Sequence, residues 1–224
     1  TFGLAPFFTI SLLLAGFSSF EVLAYRWGIA SLTLVVFGIM LGETFRISRK
    51  DWGTVFILSL LRAATSFSLV IAYQNIASGA GLLSSGKIDF EGGNTTIGLI
   101  AAGLSVFFYG GYIVGVRKSR AVQIPSTALT CYVMGLGALF FIIGGYLTGG
   151  IRLANDTHTW LNILGLALPA TAISNITLVK AIKYIGPTLT SIFGALEPLT
   201  AVVIGCLIFN ESFTPASAIG MALR

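Results

Sequence analysis

Glu197 lies at the centre of an apolar run of 25 residues, 185–209, and Pro198 follows it directly. About 20 apolar residues cross a hydrocarbon core of roughly 30 Å, so this run predicts a membrane-spanning helix with its carboxylate near the midplane. An ionised group there costs about 3 kcal/mol on insertion scales, and such residues commonly handle protons, ions or substrates. The alternative for Glu197 is a structural, protonated carboxylic acid.

Pro198 leaves a carbonyl four residues earlier without its helical donor, which predicts a kink in the helix. The kink either opens a cavity or serves as a hinge, or it is passive.

Arg62 is the second charge inside an apolar run, ten residues into the predicted span 53–73. It has three possible roles: pairing with an anionic substrate, pairing with Glu197, or extending toward the inner membrane face. Arg26 lies only five residues into its own span, and we interpret it as an interfacial anchor.

Four further candidates are uncharged: Ser66, Tyr112, Asn175 and Thr177. In apolar helices the hydroxyl and amide groups either line a cavity or hydrogen-bond between helices. Tyr112 either presents its ring to a ligand or packs in the interior. Together with Glu197, Pro198 and Arg62, these residues form the predicted substrate or proton site.

The composition predicts an integral membrane protein. Hydrophobic residues make up 55% of the chain and charged residues 9%, whereas a soluble domain carries about 25% charged residues. Mean hydropathy is +0.93. The net charge of +5 comes from basic residues scattered through short loops, so we expect membrane lipid and no nucleic acid as a partner. No metal cluster, phosphate loop or nucleophile elbow is visible, which predicts a non-enzyme without cofactors.

The chain contains eight apolar segments, and the first and the last are too short to cross a bilayer. They are residues 1–15, 22–41, 53–73, 96–116, 127–148, 160–179, 185–209 and 215–224. Both ends therefore look cut. We predict an all-α, polytopic helical membrane protein.

Orientation follows from the basic residues, which are retained on the cytoplasmic side of a membrane. Three alternate loops hold eight of them: Arg46, Arg49, Lys50, Arg117, Lys118, Arg120, Lys180 and Lys183. The loops between them hold only Lys87 and Arg152. This alternation predicts that both termini are cytoplasmic.

An internal echo relates residues 68–79 to residues 177–188, with four identities at an offset of 109. The charge alternation makes the two copies run in opposite directions across the membrane. Inverted repeats are the usual construction of secondary transporters, with the site at the repeat interface near the midplane. We therefore predict two units, 1–93 and 94–224. The first lacks a counterpart of the 185–209 span, so a pair of spans is missing near residue 81.

Residues 165–223 contain the segments Gly186-Pro-Thr, Leu196-Glu-Pro-Leu-Thr, Phe209-Asn-Glu-Ser-Phe-Thr and Ile219-Gly-Met-Ala-Leu. With these segments, the stretch resembles the last three spans of the EamA-like transporters of the drug/metabolite transporter superfamily. The segment Ala24-Tyr-Arg-Trp-Gly-Ile-Ala-Ser-Leu is similar to the second span of that family. The resemblance implies ten spans in two inverted halves and a bacterial inner membrane.

These observations favour a secondary transporter that exports or exchanges a small metabolite by alternating access, coupled to protons through Glu197. A second hypothesis is an exchanger of sugar phosphates or nucleotide sugars, with Lys180 and Lys183 as phosphate ligands. A third, from another class, is a shortened relative that does not transport and has a structural role.

Overall fold

The computed structural model describes residues 5–75 and 95–194, and within these two ranges the chain is helical with no strand. The α-helices are α1 (Ala5–Leu14), α2 (Ser19–Met40), α3 (Trp52–Asn75), α4 (Thr95–Lys118), α5 (Ser126–Thr148), α6 (Thr157–Ala167), α7 (Ser174–Tyr184) and α8 (Gly186–Gly194). Short 3-10 turns, Arg49–Asp51 and Arg120–Gln123, precede α3 and α5. A π-helical turn, Leu168–Ile173, joins α6 to α7.

Within residues 5–75 and 95–194, five helical units are long and apolar enough to cross a membrane: Ser19–Met40, Arg49–Asn75, Thr96–Lys118, Ser126–Thr148 and Thr157–Tyr184. They confirm the all-α polytopic class. Helix α1 has only 10 residues. Of the predicted span 185–209 the structure describes only the part that forms α8, and the span 215–224 lies outside the described residues. The count of eight segments therefore stays a prediction.

Local capping fixes where helices begin. Ser18 and Glu21 form a capping box at the start of α2: the Ser18 hydroxyl accepts from the Glu21 N–H at 3.2 Å, and the Ser18 N–H donates to the Glu21 carboxylate at 2.6 Å. Asp156 accepts from the Thr159 N–H at 2.8 Å and starts α6. Hydrogen bonds from Thr159 hold the pKa of the Asp156 carboxyl below its usual range.

Helices α2 and α5 form the centre of the bundle, with α3 and α6 packed on either side of them. Their contact is close at Gly137, where an added Cβ would lie 2.1 Å from the Trp27 ring. Trp27 is 2% exposed and meets Phe141 edge-on at 5.4 Å between ring centroids. The indole therefore packs on the α5 backbone because residue 137 has no side chain.

The three basic loops meet at one end of the bundle. The Lys183 ammonium donates to the Ile124 carbonyl, and Arg117 donates to the Lys183 carbonyl at 2.8 Å, which joins the loops before α5 and after α7. The loop before α3 joins them through Tyr132, whose hydroxyl donates to the Phe45 carbonyl at 3.0 Å. This placement agrees with the charge alternation, and the cytoplasmic assignment of that end stays a prediction.

We expect Gly137→Ala to destabilise the bundle and Gly110→Ala to leave it unchanged or more stable. Alanine is the better helix former by about 1 kcal/mol at either position, and nothing lies within 4 Å of the Cβ site at Gly110. At Gly137 the new methyl forces Trp27 out of place, which costs about 1–3 kcal/mol. Thermal unfolding of both variants in the same detergent measures the difference. Equal unfolding temperatures would contradict the close α2–α5 contact.

Candidate functional site

Arg62 lies deep inside the bundle. It is ten residues from Trp52, the first residue of α3, which places it about 15 Å along the helix at 1.5 Å per residue. Its side chain is 7% exposed. Its Nε and Nη2 atoms donate to the same oxygen, Oδ1 of Asn175 on α7, at 3.1 and 2.8 Å. This contact joins α3 to α7 in the interior.

Two tyrosine rings of α4 flank the Arg62 guanidinium. The Cζ atom lies 5.4 Å from the ring centroid of Tyr109 and 5.6 Å from that of Tyr112. Both distances are within cation–π range. Tyr112 is 1% exposed and Tyr109 is half-buried. Three of the predicted site residues, Arg62, Tyr112 and Asn175, therefore lie together.

The π-helical turn is what brings Asn175 to this position. Pro169 has no N–H, so it cannot donate to the carbonyl of Gly165 four residues earlier. The turn widens to the five-residue spacing of a π-helix, and side chains follow the same spacing: the Thr171 hydroxyl donates to the Leu166 carbonyl at 2.7 Å, and the Ser174 hydroxyl donates to the Pro169 carbonyl at 3.0 Å. Local hydroxyl groups thus stabilise the widened turn.

The same turn binds a second buried arginine. Nε of Arg26 on α2 donates to the Thr171 hydroxyl oxygen at 2.7 Å. The Thr171 carbonyl accepts from Nδ2 of Asn175 at 2.8 Å. A continuous chain of hydrogen bonds thus runs from Arg26 through Thr171 and Asn175 to Arg62. We name these four residues the arginine network.

The position of Arg26 contradicts its interpretation as an interfacial anchor. The side chain is 7% exposed and bonded to a residue of the bundle interior. Thr171 is fully buried and was not a predicted site residue. The sequence signal for it was Pro169, because a proline inside an apolar run marks a place where the helix must deviate.

Two acceptors within the arginine network, Asn175 and Thr171, are neutral. The Asn175 amide oxygen and the Thr171 hydroxyl satisfy guanidinium N–H groups without cancelling their charge. In the part of the chain that the structure describes, no three His, Cys, Asp or Glu side chains cluster to hold a metal ion.

The remaining candidates lie apart from this network or cannot be placed. Ser66 is buried one turn after Arg62 on α3. Thr177 is exposed, and its hydroxyl donates to the Ile173 carbonyl of its own helical unit at 2.8 Å. Glu197 and Pro198 lie outside the described residues. Pairing of Glu197 with Arg62 stays a prediction.

One end of the bundle is closed by a tyrosine that reaches a loop carbonyl. The Tyr25 hydroxyl donates to the Arg152 carbonyl at 2.7 Å, and its ring meets Trp160 edge-on at 6.0 Å. We name these three residues the α5–α6 clamp. Glu21 strengthens it, since its carboxylate accepts from the Arg152 backbone N–H at 2.6 Å and pairs with the Arg152 guanidinium at 3.3 Å. The clamp ties the start of α2 to the loop between α5 and α6.

The opposite end has a matching arrangement. The Tyr132 hydroxyl donates to the Phe45 carbonyl at 3.0 Å, and its ring meets Trp52 edge-on at 5.3 Å. We name these three residues the α2–α3 clamp. It ties the start of α5 to the loop between α2 and α3.

We expect Thr171→Val to lower the free energy of unfolding by about 1–3 kcal/mol, because the variant leaves a donor on buried Arg26 without its acceptor. Thr33→Val is the matched control. The Thr33 hydroxyl only bonds the Ile29 carbonyl of its own helix at 2.8 Å, so its loss costs a few tenths of a kcal/mol at most. Unfolding by SDS titration compares the two. If Thr171→Val lowers the free energy of unfolding no more than Thr33→Val does, the hydrogen bond from Arg26 to Thr171 does not stabilise the bundle.

Comparison with known proteins agrees with the helical bundle and its apolar surface. The model of the EamA-like transporter family matches residues 96–223, which is more than half of the chain. No curated protein and no solved structure matches. The family comprises membrane transporters of small solutes. On this evidence the chain belongs to the EamA-like transporter family.

Proposed function

We propose that this protein is a secondary transporter that exports or exchanges a small metabolite by alternating access, with Glu197 coupling transport to protons. The observation that carries the proposal is the hydrogen bond from Arg62 of α3 to Asn175 of α7. It lies near the middle of the span, and it joins the predicted unit 1–93 to the predicted unit 94–224. A polar site at the interface of two repeats is where secondary transporters bind their substrate.

The packing of the helices supports the two-unit proposal. If α1, α2 and α3 correspond to α4, α5 and the α6–α7 unit, the contacts between the two units occur in pairs. Contact of α1 with α6 matches contact of α4 with α3, and contact of α3 with α5 matches contact of α2 with α6. The α2–α5 contact is its own counterpart. A two-fold relation between inverted units produces this pattern.

The two clamps support the same relation. Tyr132 follows Tyr25 by 107 positions, and Arg152 follows Phe45 by the same interval. The clamp tryptophans are 108 positions apart. These intervals agree within two residues with the sequence echo at 109. Corresponding residues thus make the same contacts at opposite ends, which suits a protein that opens alternately at either end.

The hypothesis of a phosphate exchanger that uses Lys180 and Lys183 has less support. Lys183 donates to the Ile124 carbonyl at the basic end of the bundle, and Lys180 is exposed. Neither side chain contacts the arginine network in the described contacts.

Proton coupling predicts that Glu197→Gln abolishes the dependence of transport on a pH gradient while the protein stays folded. Glutamine keeps the size of the side chain and removes the titrating group, so only the coupling changes. Proteoliposomes that contain the full chain and a trapped pH dye report proton flux on addition of pooled metabolites. Glu43→Gln, in the loop after α2, is the control and is expected to behave as wild type.

Unchanged proton dependence in Glu197→Gln would remove the coupling role. Absence of any solute movement by the wild-type protein, with folding intact, would favour the non-transporting alternative.

Alternating access predicts opposite effects from Tyr25→Phe and Tyr132→Phe. Each substitution removes one hydrogen bond, worth about 1 kcal/mol, from the state in which that end is closed. The ratio of the open to the closed state at that end therefore rises roughly five-fold. A cysteine at Ser66, in a chain whose native cysteines are replaced by alanine, reports access to an impermeant maleimide from each side of a vesicle. Shifts in the same direction for both variants would contradict alternating access.

A further inference from the structure

We propose that one end of the bundle is a binding surface for the headgroups of anionic phospholipids. The surface lies where α3 begins and α4 ends, and we name it the basic rim. It consists of six exposed basic residues: Arg46, Arg49, Lys50, Arg117, Lys118 and Arg120. Lipid binding at this rim is independent of whether the chain moves a solute.

Packing brings the two halves of the basic rim together. Phe45, in the loop before α3, packs against a hydrophobic cluster that contains Ala121 and Ile124, which lie in and directly after the 3-10 turn between α4 and α5. Helices α3 and α4 pack along each other in opposite directions, with Leu58 opposite Gly115, so the start of α3 lies beside the end of α4. The six cations therefore belong to one surface.

The basic rim carries an excess of positive charge. Its acidic neighbours in the described loops are Glu43 and Asp51, two carboxylates against six cations. In the contacts of the described residues, none of the six cations forms an ion pair. The opposite end differs, because Arg152 there pairs with Glu21 at 3.3 Å. The described residues therefore concentrate positive charge at one end of the bundle, where it attracts anions.

The basic rim borders an apolar surface of membrane-spanning helices. Trp52, Phe56 and Leu60 follow one another at intervals of four residues on α3, and all three are exposed. Phe107 and Val114 of α4 are exposed as well. Such a surface contacts acyl chains, and cations at its end lie at the level of the headgroups, where indole rings are also enriched. A phospholipid thus contacts the helices with its acyl chains and the rim with its phosphate, which favours lipid over a soluble phosphate compound.

Two tryptophans provide matched reporters of lipid at the two ends of the bundle. Trp52 directly follows the first half of the basic rim, and Trp160 lies at the opposite end, with similar exposed fractions of 42% and 39%. Bromine atoms on acyl chains quench the fluorescence of nearby tryptophans. Trp160→Phe keeps the reporter at the rim, and Trp52→Phe keeps the reporter at the opposite end. Trp27 is buried and gives the same background in both variants.

The full chain is placed in nanodiscs of phosphatidylcholine with a minor fraction of phosphatidylglycerol, and one lipid or the other carries the bromine. We expect phosphatidylglycerol to be enriched about three- to ten-fold over its bulk fraction beside Trp52, because basic residues near the membrane surface attract anionic lipids. Beside Trp160 we expect only the bulk fraction. Both faces of a nanodisc have the same composition, so the measurement does not depend on the orientation of the chain.

Neutralising the first half of the basic rim tests whether its charge causes the enrichment. Arg46→Gln, Arg49→Gln and Lys50→Gln are combined in one variant that also carries Trp160→Phe. The matched control, with Arg46→Lys, Arg49→Lys and Lys50→Arg, changes the same positions and keeps their charge. We expect the enrichment beside Trp52 to fall at least about two-fold in the neutral variant and to persist in the control. All three side chains are exposed, so neither variant is expected to unfold.

Enrichment beside Trp52 that falls with the charge of the basic rim would support lipid binding. Absence of enrichment there, equal enrichment beside Trp160, or full retention in the neutral variant would overturn it. Inorganic phosphate, added at constant ionic strength, distinguishes the two sources of a phosphate group. If it displaces phosphatidylglycerol from the rim, the surface binds soluble phosphates and the lipid proposal fails.

Discussion

The burial of two guanidinium groups is the constraint on which the rest of this bundle depends. Leaving a charged group unsatisfied in an apolar interior costs several kcal/mol, so each arginine requires acceptors placed by other helices. The π-helical turn that contains Pro169 supplies two acceptors from one residue, Thr171: its hydroxyl accepts from Arg26, and its carbonyl accepts from Asn175, which in turn bonds Arg62. This local break in helical geometry thus joins three helical units: α2, α3 and the α6–α7 unit.

Close packing at the centre places these acceptors within reach. Helices α2 and α5 approach because Gly137 leaves room for Trp27, and α1 approaches α6 because Gly165 leaves room for Phe8, whose ring would lie 2.6 Å from an added Cβ. Since lipid tails are as apolar as the helices, association in a membrane depends on such backbone approach and on hydrogen bonds between helices. Both the glycines and the arginine network therefore promote helix association. The glycines let the helix backbones approach, and the arginine network determines which polar groups face each other.

The elements of this fold were largely predictable from the sequence, because a membrane span is a local property of about 20 residues. The predicted span 127–148 differs from the observed Ser126–Thr148 by one residue. Individual residues of the site could be predicted from the sequence, but their contact with one another could not. Arg62 and Asn175 stood out as polar residues in apolar runs, but 113 positions separate them, and nothing local indicates that they meet.

Other features of the structure could not be predicted from the spacing of apolar and polar residues along the chain. The depth of Arg26 in its helix suggested the interface, whereas its burial depends on the face that α2 turns toward Thr171. Pro169 indicated a break but not its kind, since a kink and a π-helical turn begin from the same missing N–H. The clamps were not predicted, because the interval between Tyr25 and Tyr132 is two residues shorter than the offset of 109 from which the repeat was inferred. Thr177 shows the converse: its polarity suggested the site, and its own helix accepts its hydroxyl bond.

The contacts of the two clamps are easier to break than those of the arginine network. Each clamp rests on one neutral hydrogen bond and one edge-on ring contact, together worth about 1–3 kcal/mol, at the surface where water replaces what is broken. The arginine network lies in the interior, where a broken bond exposes a charge to apolar surroundings. In the alternating access proposed above, opening one end would break a clamp and preserve the network. The Glu21–Arg152 ion pair adds to the α5–α6 clamp, but its exposed arginine limits the gain. Alternating access as proposed requires two closed states of similar energy, because only then can a bound solute or a proton select between them.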